Sequence, residues 1–171
     1  MPSEMTPESA VAQLAASLLA HEIDASLLAS LQQPETALIL EKIEPRVAPL
    51  LGKEWASQDF EDAAVEYCRL FILEPVAPAR AAAYDEKNSL EVAGRIQFML
   101  DSGFLELPKR FKTLAPDHVA LLLLVYSTLM GDDSIQFKGD NLAWLPDFSA
   151  RLENESEHPL YLLAAKILRV V

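Results

Sequence analysis

Glycine is scarce in this chain, with five residues in 171. So few glycines argue against a turn-rich β fold and against the glycine loops that cradle phosphates. Neither Gly-x-Gly-x-x-Gly nor a Walker-type Gly-Lys-Ser/Thr occurs, and Gly52-Lys53 stands without the rest of that pattern. Cys68 is the lone cysteine, which excludes an internal disulfide and any multi-cysteine metal site. Its place within an apolar helix predicts a small buried hydrophobe. Positive charge is also short: 14 Lys and Arg face 26 Asp and Glu, a formal net charge of -12. That balance disfavours nucleic acid and anionic membrane surfaces as partners, and it would attract and steer a cationic one. The apolar run Val119–Met130 is too short for stable membrane insertion. The stretch Met1–Glu8 lacks the basic segment of a secretory signal, so a cytoplasmic location is expected.

Motifs for chemistry are equally thin. His21, His118 and His158 lie far apart, without ligand spacing, and there is no His-Glu-x-x-His helix. No Gly-x-Ser-x-Gly elbow occurs. The pairs Glu61/Asp62 and Asp132/Asp133 are adjacent, and neighbours on a helix do not face one another. Asp132, Asp133 and Asp140 lack the alternation and terminal Glu of a calcium loop and read as a solvated turn. The chain is therefore not expected to be an enzyme. One enzymatic alternative stays open, with Asp117 and His118 as an acid–base pair.

Apolar residues and prolines are plentiful. Hydrophobic residues make up 51% of the chain, enough for a full core in one domain over residues 1–171. Eleven prolines in a helical protein belong between helices or in first turns. Thr6-Pro7-Glu8 reads as a cap, first-turn proline and first-turn acid, opening a helix to about Ala20. Asp24 is placed to cap a short helix through Leu31. Pro34 opens a segment with Leu38, Ile39 and Ile43 inward, and Pro45 and Pro49 impose a bend. A further helix runs from about Ser57 or Asp59 to Leu73. The prolines at 75 and 78 then make an irregular loop.

Asn88 is the expected cap of a helix over Ser89–Asp101, with Leu90, Ala93, Ile96, Phe98 and Met99 in the core and Gly103 as the left-handed stop. Pro116 marks the entrance to a helix over Val119–Tyr126 that is apolar on every face and so belongs at the bundle's centre. A buried strand is the competing reading for so short a run, rejected because no strand partner is evident. Gly131-Asp-Asp-Ser reads as a turn, followed by a helix from about Asn141 to Pro146. The last helix covers Pro159–Val170. The fold class is all-α, a single-domain bundle around a central apolar helix.

Two clusters admit two readings each. Tyr67, Leu70 and Phe71 share one helical face, either as core or as the wall of a peptide groove. Pro116-Asp117-His118 is either a helix start or the mouth of a groove. As a helix start, His118 near the positive end resists protonation. At a groove mouth, a carboxylate would pair with an incoming guanidinium.

Three segments in register are similar to the TorD/DmsD/NarJ family of redox-enzyme maturation chaperones. They are Tyr67-Cys-Arg-Leu-Phe-Ile-Leu-Glu-Pro-Val-Ala-Pro with Tyr84 following; Pro116-Asp117-His118-Val119; and Asn141-Leu-Ala-Trp-Leu-Pro-Asp-Phe with Pro159-Leu-Tyr. The resemblance covers roughly residues 60–170. It implies an all-α fold without a prosthetic group. It implies a client that is an immature redox enzyme, usually a molybdenum-cofactor subunit, held by its twin-arginine signal peptide before export. The peptide-binding residues it implies are Tyr67, Leu70, Phe71, Pro116, Asp117 and His118. The alternative within the family is a NarJ-like assembly chaperone whose client is not exported and whose contacts avoid a twin-arginine motif.

Overall fold

In the computed structural model, which describes residues 6–171, nine α-helices are arranged around a tenth that has no polar face. The stretch Met1–Met5, part of the segment read above as lacking a secretory signal, lies outside the described residues. The helices are α1 (Pro7–Ala20), α2 (Ala25–Leu31), α3 (Pro34–Ile43), α4 (Ala48–Leu51), α5 (Ser57–Phe71), α6 (Glu86–Asp101), α7 (Val119–Tyr126), α8 (Gly131–Asn141), α9 (Leu145–Glu155) and α10 (Pro159–Leu168). No strand forms among the described residues; a lone antiparallel bridge joins Arg80 to His118. The fold is all-α.

All eight residues of α7 are buried, from Val119 through Tyr126. A helix that is apolar all round can avoid water only if neighbours cover every side. Its most extensive partner is α1, whose Ala12, Ala15 and Ala16 are fully buried. Small side chains there let the two backbones approach closely. Helix α10 completes the centre, packing on α1 and α9, and Ser149 Oγ donates to the Ala165 carbonyl at 2.8 Å.

The caps follow local chemistry. Thr6 Oγ1 accepts from the Ser9 N–H at 3.1 Å and Asp24 Oδ1 from the Leu27 N–H at 2.8 Å, as the sequence implied. Gly103 adopts φ 76°, the left-handed stop after α6. Pro45 and Pro49 produce a 3-10 turn at Pro45–Val47 followed by the single turn of α4. The buried Glu44 ties this bend to the core, pairing with Arg46 at 2.7 Å and with Lys166 of α10 at 2.8 Å.

Several expectations are corrected. Leu38 and Ile39 are 61% and 59% exposed; α3 lies at the periphery, and only Leu40 is fully covered. In α6 the inward face carries Val92 and Ile96, leaving Leu90 at 83% and Phe98 at 75% exposure. That helix starts earlier, at Glu86, because Asp85 is its cap. Residues 131–134 are the first turn of α8, with Asp132 and Asp133 favourable at its positive end and Asp140 in its last turn. Helix α8 ends at Asn141, where a helix was expected to begin, and Pro146 sits in the first turn of α9, where proline needs no N–H.

These placements make opposite predictions for residues of similar chemistry. Leu122→Ala should lower the unfolding free energy by about 2–5 kcal/mol, because it opens a cavity in the centre of the bundle. Phe98→Ser should stay within about 0.5 kcal/mol of the parent. Urea denaturation of both variants checks the pair.

Candidate functional site

A groove of about 860 Å³ opens between the end of α1 with the loop after it, the last two turns of α5, and the corner that precedes α7. Its floor is aromatic. Tyr67 and Phe71 meet edge to face with ring centroids 5.0 Å apart, and Phe71 meets Tyr161 of α10 in the same way at 5.7 Å. The Tyr67 hydroxyl donates to the carbonyls of Ala20 at 3.1 Å and Leu19 at 3.3 Å, which fixes the ring against the end of α1. Burial, with the Glu22 charge adding to it, pushes the phenol up to about 12.

The rotation of α5 about its axis is set one residue earlier. Glu66 is buried, and its Oε1 accepts from the backbone N–H groups of Glu157 and His158 at 2.6 and 3.2 Å; Arg69 Nε donates to Oε2 at 2.8 Å. That carboxylate pins α5 to the corner between α9 and α10 and serves the orphan N–H groups where α10 begins.

The opposite wall is a clamp between two loops. Arg80 reaches Asp117 Oδ1 through both Nε and Nη2 at 2.8 Å, and the Ala82 N–H donates to Oδ2 at 3.2 Å. Backbone bonds from Ala81 N–H to the Asp117 carbonyl at 3.0 Å and from Val119 N–H to the Ala79 carbonyl at 2.8 Å complete it. Asp117 is 2% exposed. His118, rather than Asp117, caps α7: its Nδ1 accepts from the Ala120 N–H at 3.1 Å, so the proton sits on Nε2. Burial pulls His118 down to about 4; Asp117 opposes that shift, while His21 and Arg80 reinforce it.

Of the six residues singled out in the sequence, Tyr67, Phe71 and His118 line the groove. Leu70 is fully buried, so its packing reading holds. Pro116 is half-buried in the turn and Asp117 lies behind Arg80; neither lines the groove. The guanidinium that Asp117 meets is the chain's own. No hydrogen bond joins Asp117 to His118 among the described residues, since each side chain is engaged separately. Cys68 is half-exposed and lines the groove, a correction to its expected burial.

The sequence reading missed the remaining wall: His21 to Asp24, Ile72, Arg80, Arg110 and the stretch from Thr113 to Ala115. Arg80 had one available signal. A buried Asp needs a cation, and few basic residues exist to supply it. Among the described residues no cluster of His, Cys, Asp or Glu could hold a metal ion, and no helix is long and apolar enough to cross a membrane.

An all-α bundle with a wide, largely apolar groove and a charged rim has the layout of a helical binding protein. The sequence profile of the family described as nitrate reductase delta subunit matches residues 10–157. The chain belongs to that family, whose members are redox-enzyme maturation chaperones that partner the catalytic subunit of nitrate reductase, a molybdoenzyme. No curated protein and no solved structure matches the chain.

His118 has a pH consequence. Its folded-state value lies below the ordinary 6.5, as does that of His158, where burial is again the first cause. The unfolded chain then binds more protons, so stability present at neutral pH is lost as pH falls from about 6.5 toward 4. His118→Gln should flatten that part of the profile and leave the His158 contribution, read as urea midpoints between pH 7 and 4.

Proposed function

We propose that this chain holds an N-terminal segment of an immature molybdenum-cofactor oxidoreductase subunit in the groove, a twin-arginine signal peptide in the first instance, before that subunit is exported. The observation that carries the reading is the groove itself: an aromatic and aliphatic floor of Tyr67, Phe71 and Ile72 beneath a rim of ionisable side chains. A signal peptide offers adjacent arginines and then an apolar stretch. The apolar stretch matches the floor, and the net charge of -12 speeds the encounter with a cationic segment. His118 Nε2–H is a fixed neutral donor for a backbone carbonyl of the guest.

Chaperoning needs reversible binding. A micromolar complex corresponds to about -8 kcal/mol, within reach of a few buried apolar anchors and one charge-assisted pair. The chaperone would act in the cytoplasm, where such leaders are made, with no prosthetic group and no chemical step of its own.

A second reading is favoured by the family description. A nitrate reductase delta subunit partners a catalytic subunit, and the client here would then be an assembling, non-exported enzyme gripped outside any twin-arginine motif.

Isothermal titration of the full chain with a twin-arginine leader peptide separates the two. The first reading expects micromolar binding that weakens with salt and with Arg→Lys changes in the leader. Ile72 is 56% exposed, so Ile72→Ser should lower affinity about tenfold with an unchanged thermal midpoint. Phe71→Ser should lower it too, but Phe71 also packs on Tyr161, so its folding must be measured alongside. Absence of binding to any leader, with co-purification of a client that lacks one, supports the second reading.

A further inference from the structure

The groove carries both signs of charge, and nearly all of it is already paired. Arg80 is held by Asp117, and Arg110 by Asp24. Glu22 is the exception. Among the described residues no cationic side chain stands within ion-pair distance of its carboxylate. Its one side-chain partner among the described residues is the Cys68 thiol of α5, 3.9 Å from Oε1.

The backbone beneath Glu22 is nevertheless fixed. Arg110 Nη2 donates to the Glu22 carbonyl at 3.2 Å, the next residue, Ile23, is buried, and Asp24 is tied both to Arg110 and to the start of α2. An exposed, unpaired carboxylate is thus presented on an ordered loop beside the aromatic floor.

The geometry points to Glu22, not Asp117, as the carboxylate that receives a guanidinium of the client segment. This rests on the proposed function and names the residue that would read the guest's charge. A guanidinium offers two parallel N–H groups to one carboxylate, and its plane can lie against an aromatic ring face. Partial exclusion of water in the groove strengthens the pair beyond that of a surface ion pair. On the opposite wall Asp117 is already taken by Arg80 and offers no free carboxylate, so the positive end of the guest is directed to Glu22. Asp117 then has a different part: it positions the wall through Arg80 and never meets the guest.

A double-mutant cycle on the full chain tests this. The probes are a synthetic twin-arginine leader and the same peptide with both arginines replaced by glutamine. Glu22→Gln should weaken the arginine peptide about tenfold and leave the glutamine peptide unchanged. Asp117→Asn should weaken both peptides alike, as a wall-positioning residue does. Glu35→Gln, which removes the same charge from an exposed site on α3, should leave both affinities unchanged and so separates local pairing from overall charge. If parent protein binds the arginine peptide but Glu22→Gln changes nothing, or weakens both peptides equally, the assignment of Glu22 is overturned and the groove reading stands. If the parent binds neither peptide, the leader-binding reading is overturned, and the role of Glu22 with it.

Discussion

Helix α7 imposes the constraint from which the rest of the architecture follows. Eight consecutive residues without a polar face must be covered from all sides, and short peripheral helices such as α2, α3 and α4 act as cladding around the layer that does the covering. The same requirement decides where a groove can exist. A covering shell is weakest where the chain enters and leaves the central helix, because the backbone there still needs hydrogen-bond partners and cannot be sealed by apolar side chains alone. The entrance to α7 is where the Asp117–Arg80 clamp, the His118 cap and the groove all converge.

That convergence changes how the three sequence segments are understood. Much of what they encode is scaffold. Tyr67 and Phe71 from the first segment pack with Tyr161 from the third. Tyr84 stacks on Trp144 at 5.2 Å, with Phe148 closing a second aromatic cluster. The middle segment is held by Arg80 from the loop after α5. The segments occur together because they are cross-braced in space, and only a minority of their side chains face outward into the groove.

The legible and illegible parts of the sequence divide along the range of the interaction. The caps at Thr6 and Asp24, the stop at Gly103 and the burial of α7 were readable because each depends on residues within a turn or on an uninterrupted apolar run. In α6 the apolar residues spread over more than one face. Val92 and Ile96 point one way and Leu90 and Phe98 others, and the neighbours decide which of them is covered. Pro146 had two opposite local meanings, stop and first turn, and the structure uses the second. Asp117 could not be resolved at all from its flanks, since its partner lies 37 residues away. The groove residue with the least signal was Glu22, an ordinary acid at the end of an ordinary helix.

The bond from Glu66 to the start of α10 has one more consequence. It anchors α5 to the start of α10 and so holds the aromatic floor in place without any guest. The ordering cost of the proposed complex would therefore fall on the guest, at roughly 1–2 kcal/mol for each backbone residue immobilised. A rigid receptor of this kind favours short, unstructured guests and penalises long ones. Release of such a guest would need no rearrangement of the host: it would follow once the same segment gained more by folding or docking elsewhere.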